Sequence, residues 1–440
     1  MTAAEPQILI TNGRVLTVDG QNTRFDPGAL AVCGGRIQAV GPASRFFGRR
    51  FDRVIDVGGG IVMPGLVNVH THAAMTCFRG LADDLPLMQW LQEYIFPAET
   101  LLDEDMVYQG ALLACAEMIR SGTTCFCDMY LFEDAVARAA RDAGMRAVVG
   151  EVLYDFPSPN YGPIENGFAY TEELIQKWRG HDRIGIAVEP HSPYLCDPEL
   201  LRRAAVMARD HRIPMVVHVA ETAAEVEQLR EKTGLSPVGL LADLEVLGPN
   251  LLACHCVVLS DEDIALLQQF DVKVAHNPES NMKLASGVAP VPELLQRGVC
   301  VGLGTDGCAS NNNLDLFGEM NTAAKLHKAW QRDPTVLDAA AVLRMATIDG
   351  ARALGLGAIC GSLEAGKRAD LIVVDVDRPH LTPMYDPLSH LIYAVQADDV
   401  TMVMIQGDIV MENGRLLTLD EEQVMAAVRR IGKRVGNPKK

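Results

Sequence analysis

The chain of 440 residues is 48% hydrophobic and 22% charged, a composition typical of folded globular proteins and not of disordered ones. Its 57 acidic residues exceed its 39 basic ones, and the resulting formal net charge of -18 disfavours nucleic acid and anionic membranes as partners. No basic segment precedes an apolar run near the start, and no run approaches about 18 apolar residues, so we predict neither export nor a membrane span.

The 11 cysteines include two CxC pairs, at Cys125/Cys127 and Cys254/Cys256, but no CxxC pair. An odd number of scattered cysteines does not indicate a disulfide framework. Zinc ligation by these thiols is the less common alternative to small buried core residues. We therefore predict free core cysteines and a reducing, cytoplasmic location.

Both ends of the sequence are rich in short β-type runs separated by turn residues. The runs near the start lie at 8–10, 14–18, 30–33, 36–40 and 53–57, with Asn12-Gly13 and Gly34-Gly35 as turn signals. The runs after Cys360 lie at 370–375, 400–405 and 409–411. We predict that the first group forms a small antiparallel module and that the two ends pair into one composite β-sandwich domain, residues 1–60 and 361–440.

Between these ends lie eight apolar, β-branched runs, at 66–69, 123–129, 146–153, 184–188, 214–219, 251–258, 273–275 and 300–303. Most of the gaps carry helical patterns, and those at 222–232 and 260–270 open with capping-box signatures. Eight strand and helix units in succession favour a closed (β/α)8 barrel over an open doubly wound sheet, which usually has an early glycine-rich phosphate turn. The predicted fold class is therefore α/β, a TIM-type barrel over residues 61–360 plus the small β-sandwich.

Side chains near the carboxyl ends of barrel strands meet at one mouth, so chemistry is expected there. His70 and His72 close the first run on the same side of the strand, but this pair alone is equally consistent with structural histidines. His218, His255 and His276 end the fifth, sixth and seventh runs, and Asp306 follows the eighth. Three imidazoles and one carboxylate suit a divalent cation, with zinc the first choice and iron also compatible.

Glu221 lies three residues after His218 and just before the capping residue Thr222. An isolated glutamate at this position is more often a surface or helix-cap charge. Beside a metal site it is instead placed to carry a proton, because a cation lowers the pKa of bound water from about 15.7 to about 7.

The combination of His70-x-His72, His218 with Glu221, His255 and Asp306 resembles the amidohydrolase superfamily. Longer strings resemble its branch of 5-methylthioadenosine/S-adenosylhomocysteine deaminases: PGLVNVHTH at 64–72, RGLADDL at 79–85, HNPESNMKL at 276–284 and GSLEAGKRAD at 361–370. The resemblance covers nearly the whole chain and implies a barrel with a β-sandwich built from both chain ends. It also implies a homo-oligomer.

The resemblance assigns roles to the individual residues. It implies that the metal ligands are His70, His72, His218 and Asp306. Glu221 would be the proton shuttle, and His255 would orient the attacking water or stabilise the developing alkoxide, while Asp306 would also accept the water proton. The run at 184–191 contains no lysine of the kind that bridges two ions in binuclear members, so a single zinc ion, or Fe²⁺, is expected.

Glu99 and His191 match positions that contact the nucleoside in this family. On residue type alone, Glu99 reads as an ordinary loop carboxylate and His191 as a structural histidine. With the resemblance, Glu99 is expected to accept the ribose hydroxyls. Trp90 and Phe78 are candidates for the apolar side of the pocket, although large aromatic side chains commonly just pack.

The resemblance implies hydrolytic deamination of an adenine nucleoside, namely 5'-methylthioadenosine, S-adenosylhomocysteine or adenosine. An arginine suited to a substrate carboxylate in some members has no clear counterpart at 150–155, and Arg146 begins that strand. This absence disfavours S-adenosylhomocysteine more than uncharged methylthioadenosine. The alternatives are a hydrolase of an s-triazine or a guanine deaminase, and, from another class, a non-catalytic barrel that binds a partner.

Overall fold

The computed structural model describes residues 6–436. The strands in this range are β1 Gln7–Leu16, β2 Arg24–Cys33, β3 Arg36–Pro42, β4 Arg53–Asp56, β5 Ile61–Pro64, β6 Leu66–Thr71, β7 Thr123–Tyr130, β8 Arg146–Leu153, β9 Ile184–Ile186, β10 Glu189–Pro190, β11 Met215–Val219, β12 Leu251–His255, β13 Lys273–His276, β14 Val301–Leu303, β15 Leu371–Val374, β16 Val400–Ile405, β17 Asp408–Glu412 and β18 Arg415–Leu416.

The α-helices are α1 Leu87–Trp90, α2 Phe96–Glu99, α3 Glu104–Arg120, α4 Glu133–Ala143, α5 Ile164–Trp178, α6 Pro198–His211, α7 Ala223–Thr233, α8 Pro237–Asp243, α9 Asp261–Gln269, α10 Pro278–Lys283, α11 Val291–Gln296, α12 Leu316–Gln331, α13 Ala339–Met345, α14 Ile348–Ala353, α15 Pro387–Tyr393 and α16 Glu421–Val435. Short 3-10 turns lie at Ala43–Phe46, Ala73–Phe78, Pro379–Leu381 and Ala397–Asp399, and a π-helical turn lies at Leu91–Ile95.

The two ends of the chain form one nine-stranded sheet, which confirms that they pair in space. The join is antiparallel, between β5 and β15, with Ile61 opposite Val374 and Pro64 opposite Leu371. Because β5 takes part, this sheet continues through residue 64. The division into 1–60 with 361–440 and 61–360 remains our proposal for the domain boundaries.

Two details of the first module are wrong in the prediction from sequence. Asn12-Gly13 is not a hairpin turn, because β1 runs through it as a single strand from Gln7 to Leu16. Asn12 has a φ of 60°, and the pairing with β2 shifts register around Gly13, so the left-handed residue forms an irregularity within the strand. The sheet is also mixed rather than antiparallel, since β4 and β5 both pair parallel to β1.

Side chains alternate between the two faces of β15 and β16, so the sheet contributes to two hydrophobic cores. Ile372 and Val403 belong to the large core shared with the barrel, whereas Val373 and Met402 belong to a smaller core within the sandwich. Successive strand residues face opposite sides, so each strand buries both faces. The sandwich is thereby packed directly against the barrel.

The eight predicted runs in the middle of the chain form the parallel barrel, which confirms the predicted fold class. They appear as β6 to β14, in the orders β6-β7-β8 with β9 and β10, and β11-β12-β13-β14. The two groups are joined where Val188 pairs with Met215, and the last strand returns to the first where the Asp306 N–H donates to the His70 carbonyl at 3.0 Å. The closure therefore places a predicted ligand beside another.

The fourth strand is interrupted, whereas the sequence predicted one run at 184–188. It divides into β9 and β10 because Val188 turns to pair with the next strand, while Glu189 and Pro190 pair again with β8. Gly150 of β8 makes room for this turn: a Cβ there would lie 2.4 Å from Cγ of Glu189.

The predicted helices and caps are confirmed. Thr222 and Ser260 form capping boxes with Glu225 and Asp263 at the starts of α7 and α9. In residues 6–436, no helix has both the length and the apolar character needed to cross a bilayer. The ten cysteines from Cys77 to Cys360 are free thiols, in agreement with the predicted core role.

Candidate metal centre and substrate cleft

The histidines at the strand ends converge at one mouth of the barrel. His70 lies in β6, His72 follows it, His218 lies in β11, and potential ligand atoms of these three side chains lie within 4.8 Å of one another. Atoms of His70, His255 and Asp306 satisfy the same limit. The structure therefore brings together all four residues predicted as metal ligands, with His255 beside them.

Each imidazole is held by its Nδ1 atom. His72 Nδ1 contacts the Met129 carbonyl closely, and His218 Nδ1 lies 2.8 Å from the His191 carbonyl. A carbonyl only accepts, so Nδ1 carries a proton in both rings, which leaves Nε2 as the atom available to a metal. His70 Nδ1 lies 3.4 Å from the Cys254 thiol, and His70 Nε2 is buried without a partner in the described part of the chain. These are properties of metal-binding histidines.

The spacing of the donor atoms fits a cation of zinc size. Asp306 Oδ1 lies 3.1 Å from His72 Nε2 and 3.5 Å from His70 Nε2. Tetrahedral ligands about 2.0–2.1 Å from a metal are separated by about 3.3 Å. Oδ2 of Asp306 instead accepts hydrogen bonds from Ser280 at 2.6 Å and Ser310 at 2.8 Å, which leaves Oδ1 facing the imidazoles.

Charge distribution in the cluster is uneven. Burial works against an ionised Asp306, but its contacts with His70 and His72 and the charge on the His72 and His255 rings outweigh burial and hold its pKa well below the usual range. Burial also lowers the pKa of His70, to about 4, and that of His218 well below its usual value, so both rings are neutral. His72 differs, because its contacts with Asp306 and with the Met129 carbonyl raise its pKa to about 9 despite burial. A metal is bound by neutral imidazoles and an ionised carboxylate, so His72 would release its Nε2 proton when an ion binds.

Glu221 and His255 face each other next to this cluster. Glu221 Oε2 lies 3.9 Å from His255 Nε2, and Ser286 Oγ lies 3.5 Å from Glu221 Oε1. Glu221 follows β11 and precedes the N-cap Thr222, so the turn between strand and helix points it at the mouth. Burial raises the pKa of Glu221 above its ordinary value, although His255 partly opposes the shift. A carboxyl whose pKa is raised towards neutrality is suited to carrying a proton.

A cleft of about 750 Å³, counting the space open to solvent, leads from these groups to the surface. Its inner end is formed by His72, His218, Glu221, His255 and Asp306. Its outer walls are apolar and aromatic, formed by Trp90, Leu91, Ile95, Phe96, Tyr154 and Phe156, among others. Among residues 6–436, no lysine or arginine lines the cleft.

Glu99 and His191, the two residues expected to contact the nucleoside, both line this cleft. Glu99 ends α2, and its Oε1 accepts a hydrogen bond of 2.8 Å from the Tyr130 hydroxyl. Burial raises the pKa of Glu99 to about 7. The His191 ring lies 4.7 Å from the His218 ring, and its pKa is lowered to about 3, first by burial and then by the neighbouring histidines.

Three residues considered from sequence lie elsewhere. His276 ends β13 but faces α12, where its Nε2 lies 3.1 Å from Nε2 of His327. Phe78 is buried in the turn at 73–78 and does not line the cleft, so only Trp90 of the two aromatic candidates does. Arg146 forms a buried ion pair with Asp370 at 2.8 Å and is absent from the cleft wall.

Several residues of the site were not identified from sequence. Tyr130 holds Glu99, Ser280 and Ser310 hold Asp306, and Asn281 holds His255. Ser280 and Asn281 belong to the string at 276–284, which resembled the deaminase branch but had no assigned role. Tyr130 and Ser310 carried no comparable signal, because each becomes recognisable only once distant strands are brought together.

The family model described as the amidohydrolase family matches residues 61–410. A 5-methylthioadenosine/S-adenosylhomocysteine deaminase from Syntrophobacter fumaroxidans is 61% identical over 436 residues, covering 99% of this chain and 100% of the relative. A 5'-deoxyadenosine deaminase from Methanosarcina mazei is 47% identical, covering 95% of this chain and 96% of the relative. A crystal structure of an adenosine deaminase from Xanthomonas campestris with bound zinc is 41% identical and superimposes with a TM-score of 0.95, covering 97% of this chain and 98% of that one.

Proposed function

Because the chain belongs to the amidohydrolase family, we propose that it is a metal-dependent hydrolase that deaminates an adenine nucleoside at C6 and releases ammonia. The observation that carries this proposal is the convergence of three imidazoles and Asp306 beside an ionisable Glu221 at the inner end of an apolar cleft. Relatives named for adenine nucleosides support the same substrate class.

The proposed ligands are His70, His72, His218 and Asp306, which would hold one zinc ion, with Fe²⁺ as the alternative that the same donors accept. A divalent cation bound there supplies positive charge that polarises water and favours its deprotonation at neutral pH. The Nδ1 contacts to carbonyls and the serine contacts to Asp306 Oδ2 support this ligand set, since they aim the remaining donor atoms inward.

The proposed reaction adds the oxygen of water to C6 of the adenine ring. Glu221 delivers one proton of that water to the adjacent ring nitrogen, and Asp306 passes the other to the amino group. The C6–N bond then breaks, leaving a ring carbonyl and ammonia. His255 hydrogen-bonds the attacking water and orients it towards C6.

Glu99 is the proposed ribose anchor, accepting hydrogen bonds from the two sugar hydroxyls, and His191 is proposed to contact the nucleoside nearby. Tyr130 fixes one Glu99 oxygen, which supports a positioned carboxylate rather than a mobile loop residue. A free s-triazine or guanine has no hydroxyl pair for this group. Glu99 therefore favours a nucleoside over the bare heterocycles.

We propose that a compact, uncharged 5' substituent is preferred, as in 5'-methylthioadenosine. The outer cleft presents Phe96, Tyr154 and Phe156, with no cation among the described lining residues. The carboxylate of S-adenosylhomocysteine would find no cationic partner there. A homo-oligomer in the cytoplasm is proposed from the family resemblance alone.

The test is ammonia release by the purified protein from 5'-methylthioadenosine, 5'-deoxyadenosine, adenosine, S-adenosylhomocysteine, guanine and a chlorinated triazine, with metal analysis on the same sample. We expect one ammonia per nucleoside consumed and close to one metal ion per chain. Chloride release without ammonia would favour the triazine alternative. Absence of ammonia from every adenine nucleoside in metal-loaded protein would overturn the proposal.

A further inference from the structure

The helix α10 lies behind the site and has no role in the proposed chemistry. None of its residues is among the described residues that line the cleft. Nevertheless, two consecutive side chains of this helix hold two groups of the site. Ser280 Oγ lies 2.6 Å from Asp306 Oδ2, and Asn281 Oδ1 lies 2.9 Å from His255 Nδ1.

We propose that Asn281 is a positioning residue that fixes His255 in the tautomer with its proton on Nδ1. The amide oxygen can only accept, so at 2.9 Å it selects a ring whose Nδ1 carries hydrogen. This inference rests on the proposed deaminase function, in which His255 contacts the attacking water.

The burial of Asn281 supports a functional reason for its amide. The residue is 1% exposed, and its Nδ2 has no hydrogen-bond partner in the described part of the chain. A buried amide with unsatisfied donors lowers stability relative to an apolar side chain of similar size. Packing alone would therefore favour leucine at this position, whereas holding His255 requires the oxygen.

A second amide, that of Asn277, approaches the same ring nitrogen. Its Nδ2 lies 3.3 Å from His255 Nδ1 and would require a lone pair there. The two contacts demand opposite protonation of Nδ1, and the shorter one, to Asn281, is the better hydrogen bond. Asn281 therefore determines the tautomer.

Asn281 affects the reaction through the Nε2 atom of His255. With the proton on Nδ1, the neutral ring keeps a lone pair on Nε2, which lies 3.9 Å from Glu221 Oε2 and faces the site. That lone pair accepts a hydrogen bond from the attacking water and orients it. Without Asn281 the ring is free to place its proton on Nε2, and water is then oriented incorrectly.

The test compares Asn281→Ala and Asn281→Asp with the parent enzyme loaded with zinc. Asn281→Ala should lower kcat by about 10- to 100-fold, the usual effect of losing a partner that orients a site histidine, with KM nearly unchanged because Asn281 does not reach the cleft. Asn281→Asp keeps the acceptor oxygen and should restore most of kcat. In ¹⁵N-histidine spectra, His255 should lose its Nδ1-bound proton in Asn281→Ala and keep it in Asn281→Asp.

Two further variants separate positioning from general damage. Asn250→Ala removes a partly buried amide just before β12, at the opposite end of that strand from His255, where Nδ2 donates to the Ile213 carbonyl; it should leave activity and the His255 spectrum unchanged. Ser280→Ala frees the proposed ligand Asp306 and should lower zinc content, which Asn281→Ala should not.

An unchanged kcat or an unchanged His255 tautomer in Asn281→Ala would overturn the inference. So would loss of zinc equal to that of Ser280→Ala, because Asn281 would then be maintaining the metal centre as a whole. If Asn281→Ala fails to fold, the His255 tautomer in Asn281→Asp still tests the inference. Loss of the Nδ1 proton in that variant would contradict the role proposed for Asn281. Failure of the deaminase proposal is distinguishable, because it appears as missing ammonia in the parent protein.

Discussion

Glu221 is the residue on which the proposed chemistry depends most directly. It lies between the His255 ring and the Ser286 hydroxyl, and burial raises its pKa, so it can hold a proton closer to neutral pH. Glutamine has nearly the same shape but carries no exchangeable acid proton. We expect Glu221→Gln to lower kcat by about 10²- to 10⁴-fold, the usual contribution of a general acid or base, measured as ammonia release under saturating nucleoside.

The same variant should bind zinc and unfold at the parent temperature, because Glu221 is not among the proposed ligands. Glu227→Gln, on the exposed face of α7, is the matched control and should behave as the parent. Undiminished turnover in Glu221→Gln would remove this residue from the mechanism and leave its place at the strand end unexplained.

Glu99 leads to a prediction about the pH dependence of KM as well as about the effect of a substitution. Burial raises its pKa to about 7, so the carboxyl is ionised above that pH and neutral below it. Hydrogen bonds to an ionised acceptor are worth about 1.5–3 kcal/mol, and the neutral acid accepts more weakly. We expect KM for 5'-methylthioadenosine to rise as the pH falls from about 8 to about 6, across the titration of this group.

In Glu99→Gln this pH dependence of KM should disappear, and kcat/KM for the nucleoside should fall by about 10- to 100-fold, the equivalent of the lost charged hydrogen bonds. Any turnover of free adenine should change little, since that base has no ribose. If kcat/KM fell equally for the nucleoside and for the free base, Glu99 would be maintaining the cleft wall and not binding ribose.

At the scale of elements, the start of α7 determines where Glu221 points. The Glu225 carboxylate accepts from the backbone N–H groups of Ala220 at 3.2 Å and Glu221 at 2.9 Å, and Thr222 Oγ accepts from Glu225 N at 3.2 Å. Ala220 has a φ of 52°, an uncommon conformation for a residue with a side chain. The capping box therefore holds a strained turn that carries the proposed proton shuttle.

We expect Glu225→Ala to lower the free energy of unfolding by about 0.5–2 kcal/mol, as the loss of a helix cap does, and also to lower kcat. Glu227→Ala changes an exposed carboxylate on the same helix and should alter neither. The comparison uses thermal unfolding and saturating kinetics. If Glu225→Ala lowered stability but left kcat unchanged, the turn would be keeping Glu221 in place without the capping box.

Elements of this kind were largely predictable because their signals are local. Thr222 with Glu225, and Ser260 with Asp263, each mark a helix start within four consecutive residues, and both capping boxes are present. A local signal gave the wrong prediction at Asn12-Gly13, because a left-handed residue suits a hairpin turn and a strand irregularity equally well. Pairing partners, which the local sequence does not contain, decide between the two.

For the molecule as a whole, barrel closure explains which parts of the site could be foreseen. Strand ends share one mouth in any barrel, so order along the chain predicts that His70, His72, His218, His255 and Asp306 lie together, whereas their individual roles come from the family resemblance. The supporting contacts depend on geometry across the barrel. Examples are Tyr130 with Glu99 and Ser280 with Asp306, whose partners lie 31 and 26 residues apart. His276 shows the opposite case, a strand-end histidine that faces the outer helices.

The barrel and the sandwich are tied together by the buried pair of Arg146 and Asp370. Arg146 begins β8, and its Nε lies 2.8 Å from Asp370 Oδ2, just before β15, with side-chain exposures of 2% and 1%. Gln406 N donates to the other Asp370 oxygen at 2.7 Å. Removing one partner of a buried pair leaves an uncompensated charge, so Arg146→Ala should lower the free energy of unfolding by about 3–5 kcal/mol.

Replacing both members, as in Arg146→Met with Asp370→Leu, should recover much of that loss, because a well-packed apolar pair removes the unpaired charge. Arg24→Ala is the control: its partner Asp386 also lies far along the chain, but the side chains are 44% and 50% exposed, so the loss should be about 1 kcal/mol or less. Urea unfolding of zinc-loaded protein measures all three. A small loss in Arg146→Ala would mean that water reaches Asp370, and that packing of the two cores, rather than this ion pair, holds the sandwich on the barrel.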